Sequence, residues 1–424
     1  MAQEKFIIEG PTPLKGEIEV RGAKNATFPL LAATILTDRE CIIRNVPLIE
    51  DVFRMIELLK SMGAKLDWIG ERDLKISCRE IDPAKKDEKI ITKFRGSILL
   101  MGALLARFKK VKIPQPGGCL IGARPINTHL DAFSQLGVKI EKEDSCFILE
   151  APDELKTGQV ILEEFSVTAT ENLLLFLSSY PQKTVIKIAD GDYCVQETGK
   201  FLQKMGAKIE GLGTHTIIVE GTKNLQGAEH NVLFDPIEAG TFILMSAASK
   251  GKVLIKNVEL EFLELVIKKL RRFGLELEIQ SNKKILVKPW THLKMDKVQA
   301  MPYPGVPTDL LPLFGVLATQ TEGLTLLHDP LYEGRLKYLE ELNKMGAQII
   351  FADPHRAIVN GPTPLYGIQV NSPDLRGGAS LIAASIIAHG ETIINNVYQI
   401  DRGYERIEER LQKIGAKIKR ISTN

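Results

Sequence analysis

The chain has 424 residues, more than one hydrophobic core usually serves, since cores stop growing near about 250–300 residues. At least two domains are therefore expected. Its 44% hydrophobic and 25% charged residues exclude wholesale disorder. The 55 basic and 53 acidic residues leave a net charge of +2. That lacks the basic surplus of non-specific nucleic-acid binders, and 6% aromatics argue against stacking platforms for nucleic acid.

In chain order, MAQEKFIIEG lacks the basic start and long apolar core of a signal peptide. ATFPLLAATILT then reads as a helix apolar all round, hence buried, and ECIIRNV as a strand. EDVFRMIELLKSMGAK puts Val52, Ile56, Leu59 and Met62 on one face of an amphipathic helix, stopped by Gly63, and AKLDWI follows as a strand. The same order returns along the chain. Buried helices are expected at GSILLMGALLARF, SVTATENLLLFLSS, EAGTFILMSAASKG, DLLPLFGVLATQTEG and GGASLIAASIIAHG. Strands follow at KVKIP, KTVIKIA, KVLIKNV, LTLLHD and ETIINNV. The stop phrase recurs around Gly137, Gly206, Gly274, Gly346 and Gly415, at a spacing of roughly 70 residues. Even EGPTPLKGEIEV and NGPTPLYGIQV match at the two ends. The most apolar run, SILLMGALLARF, is far short of the ~20 residues that cross a bilayer, so no membrane contact is expected. The chain thus reads as an α/β protein of six units, each strand, buried helix, strand, amphipathic helix and strand pair, arranged as two domains of three.

Positions that only build a repeat should look alike, so polar residues peculiar to one unit draw attention. The starts of the buried helices carry Lys24 and Asn25, Arg95, Ser166, Glu238, Asp309, and Asp374 with Arg376. The starts of the amphipathic helices carry Arg124, Arg335, and Asp401 with Arg402. Helix N-termini present free N–H groups and a positive dipole end, so they attract anions. One arginine at such a place commonly makes a surface salt bridge of little worth. Lys24, Arg124, Arg335, Arg376 and Arg402 at repeat-equivalent starts instead suggest a polyanion site.

The five cysteines are widely spaced and form no CxxC pair, so reduced thiols are expected rather than a disulfide framework. No HxxxH or HExxH spacing exists, and no metal is expected. Cys41 and Cys194 sit in apolar segments and read as buried small hydrophobes. Cys119 differs. In PQPGGCLIGARP it lies in a glycine-rich loop near basic residues, where cations lower a thiol's pKa. Such a thiol fits a nucleophile, a proton donor or acceptor, or neither.

PGGCLIGARP, RGAKN, PTDLL, DLRGGASL and IDRGYERIEERL together resemble the UDP-N-acetylglucosamine 1-carboxyvinyltransferase family of enolpyruvyl transferases, over essentially the full length. The resemblance implies a two-domain inside-out α/β barrel built from six βαβαββ repeats, three per domain. The chain would cross between domains twice, giving one discontinuous domain of 1–23 plus 234–424 and a second of 24–233 that carries the Cys119 loop at 114–124. It implies transfer of the enolpyruvyl group of phosphoenolpyruvate to the 3-hydroxyl of UDP-N-acetylglucosamine, with release of phosphate. That is the first committed step of peptidoglycan synthesis, in the bacterial cytoplasm, without a metal or organic cofactor and without nucleic-acid partners.

By resemblance, Lys24, Arg124 and Arg402 would hold the donor's phosphate, Arg335, Arg376 and Arg402 its carboxylate, and Asn25 would line the same site. Cys119 would deliver a proton to the methylene carbon and be the thiol that fosfomycin alkylates, and Asp309 would accept the hydroxyl proton. Asn25, Arg95, Arg124, Pro125, Ile126, Asn127, Thr128, Glu164, Ser166, Val167, Asp309 and Leu331 correspond to the sugar-nucleotide contacts. The loop 114–124 would fold over the site and exclude water. Departures fall on the acceptor side. Residues 124–128 read RPINT, Glu164 and Phe165 stand where the family often has a lysine before its SV segment, and ADGDYCVQE replaces an EPE-type stretch. A glutamate beside a diphosphate repels it unless paired. Other readings are therefore a paralogue with another acceptor, or a non-catalytic binder of nucleotide sugar. Retention of Cys119 and Asp309 speaks against the latter, since binding alone needs no proton donor.

Overall fold

The computed structural model describes residues 3–114, 121–122 and 125–423. The chain divides into two compact units. The first comprises Met1–Arg21, Leu120–Ala123 and Phe234–Asn424, and the second Gly22–Cys119 and Arg124–Leu233. The division thus runs two residues before the boundary expected at 23, and the described residues 121–122 group with the first unit rather than the second. Hydrogen bonds give the reason. Asp235 N donates to Arg21 O within the first unit, and Ala23 N donates to Leu233 O within the second, each at 2.8 Å. Ile121 O accepts from Gly334 N at 2.9 Å.

In the first unit, three sheets surround the buried helices Pro236–Ala248, Leu311–Ala318 and Leu375–Ile387, which pack on one another. Every residue of Leu311–Ala318 is buried, as its unbroken apolar pattern requires. Amphipathic helices such as Glu264–Arg272 bury only one stripe, here Val266, Ile267 and Leu270. The second unit repeats this arrangement around Lys24–Ala33, Leu100–Phe108 and Val167–Leu177. Among the described residues, its sheet Lys110–Pro114, Cys146–Glu150 and Lys139–Glu143 has three strands, where the other five sheets have four. In the sequence, the point where the other repeats carry a parallel edge strand holds the helical turns Pro83–Lys85 and Glu88–Ile91.

Three sheets are completed by distant chain. Lys15–Glu19 pairs in parallel with Lys252–Lys256, and Glu229–Asn231 with Cys41–Arg44. Each crossing strand therefore completes a repeat whose remainder lies far along the sequence. Gln3–Gly10 runs antiparallel to both Gly390–Asn395 and Lys417–Thr423, so the two chain ends share one sheet. The matched GPTPL phrases have a common cause. A Cβ on Gly10 would stand 2.6 Å from Ala388 O, and one on Gly361 would stand 2.4 Å from Thr321 O. In both repeats, only glycine lets the strand end meet the carbonyls that close a buried helix.

The stop glycines behave as expected: Gly63, Gly137, Gly206, Gly274, Gly346 and Gly415 all have φ between 92° and 113°. Gly415 has open space around the missing Cβ, whereas a Cβ on Gly102 would stand 2.3 Å from Asn172 O of the facing helix. Gly102 N also donates to Asn172 Oδ1 at 2.7 Å. The two positions separate backbone cost from packing cost. Gly415→Ala is expected to lose about 1 kcal/mol, and Gly102→Ala about 2–3 kcal/mol by overpacking, despite its gain in helix propensity. Urea unfolding of both variants checks this; equal losses would mean that the two helices are not in close backbone contact.

Candidate active site

The first unit gathers Asp309, Arg335 and Arg376 into one cluster. Asp309 lies in the turn Thr308–Leu310 that leads into a buried helix, and Arg376 is the second residue of another. Arg335 opens the turn ahead of the amphipathic helix Tyr338–Lys344. Asp309 Oδ1 accepts from Arg335 Nη2 at 2.8 Å, and Oδ2 accepts from Arg376 Nε at 2.9 Å. Both arginines are buried. Thr308 Oγ1 accepts from Arg335 Nε at 3.0 Å and donates to Asp329. Asp329 in turn accepts from the backbone N–H groups of Leu331 and Tyr332 at 2.9 and 3.0 Å. Asp374 caps the helix of Arg376 and stands 3.8 Å from Arg335 Nη1.

Burial by itself would lower both guanidinium pKa values. For Arg335 the surrounding carboxylates, Asp309 first, outweigh burial; for Arg376 Tyr404 and Asp309 do so, and both values lie above the ordinary range. These arginines are therefore permanently charged and accompanied by carboxylates. One donor remains. Arg376 Nη1 is fully buried with no hydrogen-bond partner among the described residues, while its guanidinium lies 5.2 Å over the Tyr404 ring. A buried N–H of this kind calls for an acceptor.

Arg402 follows the short helix Tyr398–Asp401, at its C-terminal rather than its N-terminal end. Its Nη1 donates to Gln399 Oε1 at 3.1 Å. The turn abuts the start of the helix that carries Arg376: Cβ atoms on Gly378 and Gly403 would stand 2.5 Å from Ile400 and 2.6 Å from Leu375. Arg420 grips Asp401 with two hydrogen bonds of 2.8 and 2.7 Å, which holds this turn. Leu331 is exposed beside the cluster.

The second unit holds the remaining described candidates. Lys24 begins a buried helix, and its ammonium pairs with Asp51 at 2.8 Å, both side chains being nearly buried. Asn25 follows it and is half-buried. Arg95 Nη2 donates to Pro125 O at 3.2 Å, which ties together two candidate segments. Ile126 is buried, and Asn127 opens the helix Asn127–Gln135. Thr128 Oγ1 donates to Glu164 Oε1 at 3.0 Å, so the glutamate in the family's lysine position is engaged by another candidate residue. Ser166 caps the helix Val167–Leu177, accepting from Ala169 N at 3.4 Å. Cys119 and Arg124 lie outside the described residues. Cys41, Cys78, Cys146 and Cys194 are all buried and free.

Several neighbours carry no sequence signal. Asp51 reads as an ordinary first-turn acid, Thr308 and Asp329 as turn residues, and Tyr404 as core. Asp329 and Thr308 are visible only through the fold that brings them to Arg335. His129 is equally silent in the sequence. It is buried, its Nε2 lies 2.9 Å from Thr168 Oγ1, and burial together with the nearby Arg95 charge pushes its pKa down to about 3. Among the described residues, no cluster of three or more His, Cys, Asp or Glu could hold a metal, and no helix is long and apolar enough to cross a membrane.

Two triads of buried helices ringed by small sheets, with a carboxylate held between arginines at the helix starts, define the enolpyruvyl transferase class. The enolpyruvyl transferase NikO from Streptomyces tendae superposes with a TM-score of 0.90 over 100% of both chains at 22% identity. EPSP synthase from Acinetobacter baumannii does so with a TM-score of 0.76 over 99% of this chain and 100% of its own, at 19% identity. The family model of EPSP synthase (3-phosphoshikimate 1-carboxyvinyltransferase) matches residues 8–411. The UDP-N-acetylglucosamine 1-carboxyvinyltransferase of Treponema denticola is 39% identical, covering 98% of each chain. The UDP-N-acetylglucosamine 1-carboxyvinyltransferase 2 of Carboxydothermus hydrogenoformans is 40% identical over 99% of this chain and 100% of its own. The chain belongs to the EPSP synthase family and, within it, to the UDP-N-acetylglucosamine 1-carboxyvinyltransferases. It is a transferase with the two-domain inside-out α/β barrel of that family.

His129 gives a test of stability. Its folded pKa lies below the unfolded value of about 6.5, so the unfolded chain binds the extra proton first as pH falls. The contribution is intact above about pH 6.5 and is lost toward the folded value of about 3, at up to ~1.4 kcal/mol per pH unit. Urea midpoints between pH 7 and pH 4 should fall less steeply for His129→Gln, which can still bond Thr168. Parallel slopes would show that His129 does not titrate in this way.

Proposed function

We propose that this protein transfers the enolpyruvyl group of phosphoenolpyruvate to the 3-hydroxyl of UDP-N-acetylglucosamine and releases phosphate, the first committed step of peptidoglycan synthesis, in the bacterial cytoplasm. The near-full-length relationship supports the activity. The observation that carries the site assignment is the Asp309–Arg335–Arg376 cluster.

The donor carries a carboxylate and a phosphate, and planar guanidinium forks match both. Arg335, Arg376 and Arg402 take the carboxylate, with the unpartnered Nη1 of Arg376 as one donor to it. Lys24, Arg124 and Arg402 take the phosphate, with Asn25 beside them. Arg335 and Arg376 fix both oxygens of Asp309 in place, and Asp309 takes the hydroxyl proton.

The sugar hydroxyl oxygen then bonds to C2 of phosphoenolpyruvate while its proton passes to Asp309. The methylene carbon takes a proton from Cys119, giving a tetrahedral ketal. Loss of phosphate and of one methyl proton restores the double bond. Arg95, Pro125, Ile126, Asn127, Thr128, Glu164, Ser166, Val167 and Leu331 face the nucleotide sugar. The loop of Cys119 closes over the site, and this is supported by the fastening of Ile121 and Gly122 to residues 333–334. A Cβ on Gly334 would stand 2.7 Å from Ile121 C, and one on Gly122 would stand 2.8 Å from Glu333 Oε2.

The Thr128–Glu164 bond favours a second reading, a relative with another acceptor, because it places a carboxylate where a diphosphate-binding lysine is usual. Phosphate release measured with a panel of nucleotide sugars separates the two; turnover with another acceptor and none with UDP-N-acetylglucosamine would overturn the first. Cys119→Ala should lower turnover at least about 1,000-fold, and Cys119→Asp should retain measurable activity, because a carboxylic acid also delivers a proton. Fosfomycin should modify Cys119 alone, since the other four cysteines are buried. Burial also raises the pKa of Cys41, Cys78 and Cys194, Cys78 to about 11. An inactivating adduct mapped by mass spectrometry to any of those four would remove Cys119 from the site.

A further inference from the structure

Four repeats share a turn in which the residue after the central strand has a left-handed backbone. Three of these residues are asparagines: Asn45 at φ 58°, Asn257 at φ 63° and Asn396 at φ 58°. Asparagine tolerates this region, and the amides of Asn45 and Asn396 bond backbone carbonyls there at 2.8 and 3.0 Å. The fourth is Ile188, at φ 57°. A β-branched residue is a genuine outlier in this region, and strain of this kind persists only where surrounding structure over-determines it.

The surroundings do so. Ala189 N donates to His215 O at 3.2 Å, and His215 Nδ1 lies 3.1 Å from Ala189 O. Asp190 N donates to Thr170 Oγ1 at 3.0 Å, and the same hydroxyl donates to Ser166 O at 2.8 Å. Burial does not repay the strain, because Ile188 is 37% exposed. Phe165 nearby is 44% exposed, with its ring 4.6 Å from that of His215. Phe165 also stands between Glu164 and Ser166. Two exposed aromatic rings, tilted at 49° to each other, and a strained apolar residue are thus fastened to the segment assigned to the nucleotide sugar.

We infer that Phe165, with His215 beside it and Ile188 close by in the chain that His215 binds, is the shelf against which the nucleobase of the acceptor stacks. The inference rests on the proposed acceptor being a nucleotide sugar. Its chemistry is that of a flat uncharged ring. The shelf offers an aromatic face and an aliphatic edge, and Lys187 on the same turn is directed to Thr216 at 3.3 Å. Base–aromatic stacking of this sort is worth about 1–3 kcal/mol by alanine substitution, which is about 5- to 150-fold in affinity. Here an acceptor contact made of rings accompanies the loss of the lysine at position 164.

Phe165→Ala and Ile188→Asn test it, read by the KM for UDP-N-acetylglucosamine, by inhibition with UMP and with N-acetylglucosamine 1-phosphate, and by Tm. Phe165→Ala should raise that KM about 5- to 150-fold, and weaken UMP by the same factor. It should leave inhibition by the sugar phosphate, which lacks a base, as it was. Ile188→Asn restores the residue used by the other repeats, so Tm should rise by a few degrees while UMP weakens at least about threefold. A purely structural role would move Tm without moving UMP. Unchanged UMP inhibition in Phe165→Ala overturns the shelf, and so does an equal loss for the sugar phosphate, which would put the sugar there instead. If the wild type releases no phosphate with any nucleotide sugar, the proposed function fails. Calorimetry with UMP alone then decides the shelf: it stands if Phe165→Ala weakens UMP at least fivefold and falls if wild type and variant bind alike.

Discussion

A carboxylate held by two buried guanidinium groups is the interaction on which the first unit's candidate site depends. Asp309 touches both Arg335 and Arg376. A buried charge without a partner is costly, so the three side chains stabilise one another's ionised forms in that position. Each comes from the start of a helical segment, two in one repeat and one in the next. The packing of the buried helices therefore decides whether the cluster exists. This is also why glycine recurs where helices or strand ends approach closely, as at Gly102, Gly361 and Gly378.

The same constraint gives the cluster its chemical direction. Two arginines face one carboxylate, and one buried donor of the group, Arg376 Nη1, is left without a hydrogen-bond partner among the described residues. In the second unit, Lys24 with Asp51 and Thr128 with Glu164 show the same habit of pairing candidate residues with neighbours. There the departures from the family pattern fall at residues 124–128, at 164–165 and in ADGDYCVQE, next to Ile188, which departs from the chain's own repeats.

Repetition explains both what recurs within the chain and what stands out. Six glycines with positive φ close six amphipathic helices because the backbone there is left-handed whatever the neighbours. Asn45, Asn257 and Asn396 answer a second recurring demand, and Ile188 does not. A repeat protein thus carries its own reference, against which a local exception can be read as functional.

Local physics makes much of this readable from sequence. Helix periodicity, glycine stops and six recurrences are set within windows of a few residues, so the α/β class, the buried helices and the residues at their starts are legible in the amino-acid order itself. The motifs around Cys119, Asp309 and Arg402 are legible for the same reason. Pairing is not. That Asp309 lies between Arg335 and Arg376, that Lys24 meets Asp51, and that a strand at 229–231 completes the sheet begun at 41–44 depend on contacts between segments distant in sequence. Sequence alone determined which side chains the helix starts carry; tertiary structure decided which of them face each other, because ion pairing and sheet pairing act through space rather than along the chain.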